Sequence, residues 1–135
     1  MRERIAASFA RQSLMTTLEA ELLEVAAGRV TVAAPLLEGF RQQQGVGHAG
    51  VTFALGDTAA GYAALSLMPE GREVMTVEMK INLLAPASGR RLVATGEVLR
   101  AGRRLVVVRA GVVVEREDRT VAVAELLGTM IPVDG

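Results

Sequence analysis

Residues 49–68, AGVTFALGDTAAGYAALSLM, decide the fold. The stretch is long, apolar and rich in small residues, and Pro69 with Gly71 close behind ends it, so it reads as a helix. Its length approaches the ~20 residues that cross a bilayer. Against a membrane span stand Asp57 at its centre, the glycines Gly50, Gly56 and Gly61, and a polar set of Thr52, Thr58 and Ser66. A central aspartate alone disfavours insertion by roughly 2.5–3.5 kcal/mol. The segment is therefore expected to be a buried central helix wrapped by a sheet.

Downstream, the period changes from helical to two. Thr76, Glu78, Lys80 and Asn82 alternate with Val77, Met79, Ile81 and Leu83, which predicts a strand with one polar and one apolar face. Leu92 to Leu99, Leu105 to Val114 and Thr120 to Ile131 are three further β-branched-rich runs, and the short connections at Ala101-Gly102 and Glu117-Asp118 favour antiparallel neighbours. Upstream, Leu18 to Ala26 and Val30 to Ala34 read as two strands joined at Gly28-Arg29. Residues 36–48, LLEGFRQQQGVGH, are too punctuated by glycine for a regular element and read as a loop. Ile5, Ser8, Phe9 and Gln12 fall at helical spacing, giving a short amphipathic helix that packs on the body or covers it. The expected architecture is α+β: one domain over residues 1–135, an antiparallel sheet of about six strands around one apolar helix.

Composition narrows the chemistry. Of 135 residues half are hydrophobic, and 15 Lys+Arg cancel 15 Asp+Glu, so no global field attracts nucleic acid or an acidic membrane face. Aromatics are 3%, too few for a base-stacking surface. There is no cysteine and one histidine, which excludes thiolate chemistry and Cys- or His-rich metal sites. The first fifteen residues, MRERIAASFARQSLM, lack the unbroken apolar run of a secretory signal, so a cytoplasmic protein is expected.

Chemistry then concentrates on few groups. Between Arg41 and Glu70 the only formally charged residue is Asp57. A carboxylate in an apolar helix must be paired, hydrogen-bonded or functional, because burying an unpaired charge is costly. Three and four residues to either side lie Phe53, Ala54, Ala60 and Gly61, mostly small. That leaves room for a ligand, or for close packing against a neighbour. Ahead of the helix, QQQGVGHAG supplies glycines for close backbone approach and a helix start with free N–H groups, suited to a carbonyl oxygen that gains negative charge. His48 at a helix start is as readily a structural hydrogen bonder as a catalyst.

Gln42-x-x-Gly45-x-x-His48-Ala49-Gly50 followed by Asp57 resembles the N/Q-x-x-G-x-x-H-G-G…D/E signature of the hotdog-fold acyl-CoA thioesterases, the PaaI-like branch of the 4-hydroxybenzoyl-CoA thioesterase superfamily in particular. The run from Thr76 to Pro86 resembles the strand and corner that follow the family's central helix. The resemblance implies a hotdog fold and thioester hydrolysis. It places Asp57 as nucleophile or general base, the Ala49 N–H on the thioester carbonyl within the His48-Ala49-Gly50 turn, Gln42 as a positioning amide, and Thr76 as a hydroxyl near the attacking water. Ala49 departs from the family's glycine, keeping the N–H but adding a methyl. No metal or separate cofactor is implied, coenzyme A being part of the substrate.

Eight residues on one helix separate Ala49 from Asp57 by about 12 Å, too far for both to touch one carbonyl. If both serve one thioester they come from different subunits, with helices antiparallel across a two-fold axis. A homodimer, or a dimer-of-dimers tetramer, with shared sites is expected. For coenzyme A, Arg103 and Arg104 at a predicted turn suit bidentate phosphate contact, with Lys80 and Asn82 as further polar contacts. Two other readings remain open from the sequence: a non-catalytic acyl-CoA-binding protein and a hotdog hydratase or dehydratase.

Overall fold

The computed structural model describes all 135 residues. In chain order the elements are α1 (Arg2–Ala10), α2 (Ser13–Thr17), β1 (Glu21–Ala26), β2 (Arg29–Pro35), a single 3₁₀ turn (Glu38–Phe40), α3 (Ala49–Leu65), β3 (Arg72–Leu83), β4 (Arg91–Ala101), β5 (Val106–Glu115) and β6 (Thr120–Asp134). The six strands form one antiparallel sheet in the order β1-β2-β4-β5-β6-β3, and α3 packs across one face of it. This is the expected hotdog arrangement. The expected order gains two short elements, the 3₁₀ turn inside the expected loop and the single-turn α2, which buries Met15 and is capped by Leu18, so β1 begins at Glu21 instead of Leu18. No helix is long and apolar enough to cross a membrane.

The period of two sets the sheet's inner face. In β5, Val106, Val108, Ala110, Val112 and Val114 are buried against α3, while the residues between them face outward. On that outer face Arg109 bridges Glu97 and Glu125 across neighbouring strands, at 2.7 Å to each.

Small residues let helix and sheet touch through backbone. A Cβ on Gly96 in β4 would lie 2.4 Å from the Ala59 carbonyl, and one on Gly56 would lie 2.8 Å from Leu126. The glycines and alanines on this side of α3 therefore serve close packing. The helix ends at Leu65, three residues earlier than expected, where Ser66 Oγ donates to the Ala63 carbonyl (2.6 Å) and accepts the Gly28 N–H (2.7 Å). At the same end the Arg4 guanidinium donates to the carbonyls of Met68, Pro69 and Arg72, at 3.0, 2.9 and 2.6 Å, which fixes α1 against the body.

β3 departs from simple alternation. Its pairing with β6 shifts register between Thr76 and Glu78, leaving Val77 as a bulge. The bulge puts Thr76 on the inner side with Met79 and Ile81, whereas strict alternation groups it with Glu78, Lys80 and Asn82. β3 is also an edge strand of 12 residues, and Met75, Val77 and Leu83 on it are 57%, 54% and 58% exposed.

Candidate active site

The turn before α3 is built by its glycines. Gln42 and Gly45 close a tight turn, Gly45 N–H to the Gln42 carbonyl at 2.9 Å, with Gly45 at φ +83°. The Gln42 side-chain oxygen accepts the Gln44 N–H, which leaves its amide nitrogen as the group available to a ligand. Gly47 bridges to Arg41 and donates to the Ala87 carbonyl (2.8 Å), and a Cβ there would meet Leu36 at 2.8 Å. The turn is thereby pinned to the chain that follows β3.

His48 caps α3. Its Nδ1 accepts the Gly50 N–H at 2.8 Å, so the proton of the neutral ring sits on Nε2 and Gly50's donor is occupied. The Ala49 N–H makes no hydrogen bond inside the chain. Of the His48-Ala49-Gly50 turn, the free donor at the positive end of the helix is thus Ala49. It opens on a cleft of about 740 Å³ lined by Gln42, His48, Ala49, Thr52, Leu83 and Pro86, among others.

Asp57 lies two turns along, half-buried, where it accepts a hydrogen bond from Thr76 Oγ at 2.7 Å. Burial pushes its pKa above the ordinary carboxylate value, and the Thr76 hydroxyl opposes that rise. The β3 bulge is what aims Thr76 at the carboxylate. Beside Asp57 is a second, smaller chamber of about 180 Å³. Its walls include Ser8, Gln12, Tyr62 and Glu73 as well as Thr76.

One chain therefore brings together Ala49, His48 and Gln42 in one depression, and Asp57 with Thr76 in another. No residue lines both. Arg103 and Arg104 line a third depression with Arg72, Leu105, Ile131 and Pro132. Lys80 and Asn82 are exposed on the opposite face of β3 from Thr76, so a single chain does not gather the four coenzyme A contacts expected from sequence. No cluster of potential metal ligands is present. Sequence reasoning passed over Ser8, Gln12 and Tyr62 as site residues. The signal was there: Ser8 and Gln12 are polar positions on the stripe that carries the buried Ile5.

A six-stranded antiparallel sheet around a central helix, with a helix-start donor and a half-buried acid, defines a hotdog thioesterase-type protein. The sequence profile of the Thioesterase superfamily matches residues 44–123, and the chain belongs to that family. Among solved structures, a thioesterase family protein from Silicibacter pomeroyi is 39% identical with a TM-score of 0.97, covering 99% of this chain and 98% of that one. The BH2602 protein from Bacillus halodurans, solved with CoA, is 25% identical with a TM-score of 0.81, covering 97% of this chain and 87% of that one. A Saccharolobus solfataricus protein named as a candidate esterase, SSO2140, is 33% identical over 91 residues. The match covers 67% of this chain and 64% of that relative's length.

Proposed function

We propose that the protein hydrolyses acyl-CoA thioesters in sites shared by two copies of the chain, with the Ala49 N–H of one and Asp57 of the other acting on one carbonyl. The observation that carries this reading is the separation of the two groups into different depressions at opposite ends of β3. The Asp57 chamber includes Glu73, Val74 and Thr76, and the Ala49 cleft includes Leu83 and Leu84. When two β3 edges pair antiparallel, the 72–76 end of one meets the 83–87 end of the other. That pairing apposes each acid to the other copy's donor and covers Met75, Val77 and Leu83, which a lone edge strand exposes. It also sets Arg72, Arg103 and Arg104 of one copy at the mouth of the other's cleft, where they suit the phosphates of coenzyme A. Membership of the superfamily and the CoA-bound Bacillus halodurans relative support the substrate class.

In the reaction, the carbonyl oxygen points at the Ala49 N–H, which stabilises the charge it gains. Asp57, its carboxylate held by Thr76, either takes a proton from water as a new C–O bond forms or attacks the carbonyl itself to give an anhydride that water opens. In either course the C–S bond breaks, the sulfur leaves as thiolate and takes a proton, and the products are a free acid and coenzyme A.

Ala49→Pro tests the sharing directly. Ala49 is the first helical residue after the His48 cap, and proline is favoured there because it lacks only an N–H that the helix does not use. His48, at φ −64° and ψ 139°, already has the extended backbone that precedes proline. Ala49→Pro and Asp57→Asn are each expected to be inactive in a free-thiol assay with acyl-CoAs. Unfolded and refolded together, they regain about a quarter of native activity, because half the dimers are mixed and each mixed dimer has one intact site of two. No recovery in a verified mixed dimer overturns the shared site. Substrate binding without hydrolysis by the native protein assigns it instead to acyl-CoA binding.

A further inference from the structure

Resting on the thioesterase reading, we infer that the chamber beside Asp57 is the acyl subsite, and that Ser8, Gln12 and Tyr62 make it select a short acyl group ending in a neutral hydroxyl. Size comes first. An engineered cavity of about 150 Å³ holds benzene, so this chamber of about 180 Å³, which is open to solvent, seats roughly six carbons, and a fatty acyl chain runs on past its mouth. The cleft at Ala49 is about four times larger, 740 against 180 Å³, and suits the long pantetheine arm on the other side of the carbonyl.

Chemistry comes second. Gln12 Nε2 donates to the Tyr62 hydroxyl at 2.7 Å, and that hydroxyl also shares a hydrogen bond with Ser8 Oγ at 3.0 Å. Gln12 Oε1 makes no hydrogen bond inside the chain and is an open acceptor on the chamber wall. Gln12 precedes α2 without capping it through its side chain, so its amide is not committed to the helix. Asp57 holds a carboxylate at the same chamber, which disfavours an acyl group ending in a carboxylate of its own, while Glu73, also on the wall, has its carboxylate 3.8 Å from the Arg11 guanidinium. An acyl hydroxyl, which donates to Gln12 and accepts from Ser8, fits this wall where an alkyl end leaves it unpaired.

The wall is also rigid enough to discriminate. Ile5 of α1 is fully buried, Phe9 packs on Tyr62 with ring centroids 6.2 Å apart, and Arg4 holds α1 to three carbonyls beyond the end of α3. Arg4 is accordingly a positioning residue for the chamber.

The test compares hexanoyl-, 6-hydroxyhexanoyl-, adipyl- and dodecanoyl-CoA as substrates of the intact protein. The expected kcat/KM for the hydroxylated chain exceeds that for hexanoyl by about tenfold, with adipyl and dodecanoyl below both. In Gln12→Leu, and separately in Ser8→Ala, the hydroxyl-to-alkyl ratio falls toward one, with thermal melting recorded to confirm folding. A ratio near one in the native protein, a ratio unchanged in both variants, or dodecanoyl turned over as well as hexanoyl overturns the inference and leaves the thioesterase reading standing. Hydrolysis of none of the four, nor of any other acyl-CoA, overturns the thioesterase reading and the inference with it.

Discussion

The start and the middle of α3 are made on opposite principles. At its start the group proposed to act is backbone: the Ala49 N–H is left free while His48 takes Gly50's, in a turn whose shape comes from Gly45 and Gly47. At its middle the group proposed to act is a side chain, Asp57, made unusual by burial and hydrogen-bonded by one hydroxyl on a bulged strand. A backbone donor survives most substitutions at its own position, as the alanine in the family's glycine place illustrates. A side-chain acid survives only exchange for another carboxylic acid. The contrast explains why the donor end tolerates a departure from the motif and the acid end keeps it.

Three changes break or sharpen that contrast. The largest effect is expected from Asp57→Asn, with turnover down about 10³-fold and substrate still bound, measured by thiol release and by binding of an unhydrolysed analogue. The same variant sharpens the account of burial. A carboxyl whose folded pKa is raised stabilises the fold below its unfolded pKa, and that contribution is lost as pH rises through the folded pKa. Asp57→Asn is therefore expected to melt higher than the native protein at pH 7, with the gap closing toward acid. Next, Arg103→Ala combined with Arg104→Ala is expected to raise KM for acyl-CoA about tenfold while leaving hydrolysis of a short N-acetylcysteamine thioester at the native rate. Equal KM for acyl-CoA refutes their role as phosphate anchors. The smallest effect is expected from Thr76→Val. Losing the hydroxyl that opposes burial moves the acidic limb of the kcat/KM profile to higher pH and lowers the rate a few-fold. A limb that stays in place shows that Thr76 does not tune the acid.

Much of this was legible in the sequence, and the gaps have physical causes. Strand order followed from period, because β5 alternates strongly enough to fix its faces, whereas α3 carries no apolar stripe and was marked by its apolar length, its small residues and the stop at Pro69 and Gly71. The single turn of α2 was not, since five residues carry too little periodicity to register. The isolation of Asp57 in an apolar run marked the acid. The partnership of Thr76 with it was readable only through the family motif, because alternation places Thr76 on the wrong face and a bulge leaves no fixed signature. His48 illustrates a different limit. Spacing identified the helix start, but only geometry shows the ring accepting from Gly50 and leaving Ala49 as the donor. The polar trio of Ser8, Gln12 and Tyr62 joins residues 50 and 54 positions apart, a proximity no local pattern reports.

The contact of Gly96 with Ala59 sets how this protein is able to diverge. Because the main chain of the helix meets the sheet at Gly96, no side chain fits between them and the helix is held close at that crossing. Ala49 and Asp57 inherit that position, whereas the selectivity proposed for the chamber rests on Ser8 of α1 and Gln12 just ahead of α2, both hydrogen-bonded to Tyr62 of α3. Drift at positions 8 and 12 is thus free to change which acid is released without disturbing the spacing on which bond cleavage depends, so reactivity and taste are separately heritable.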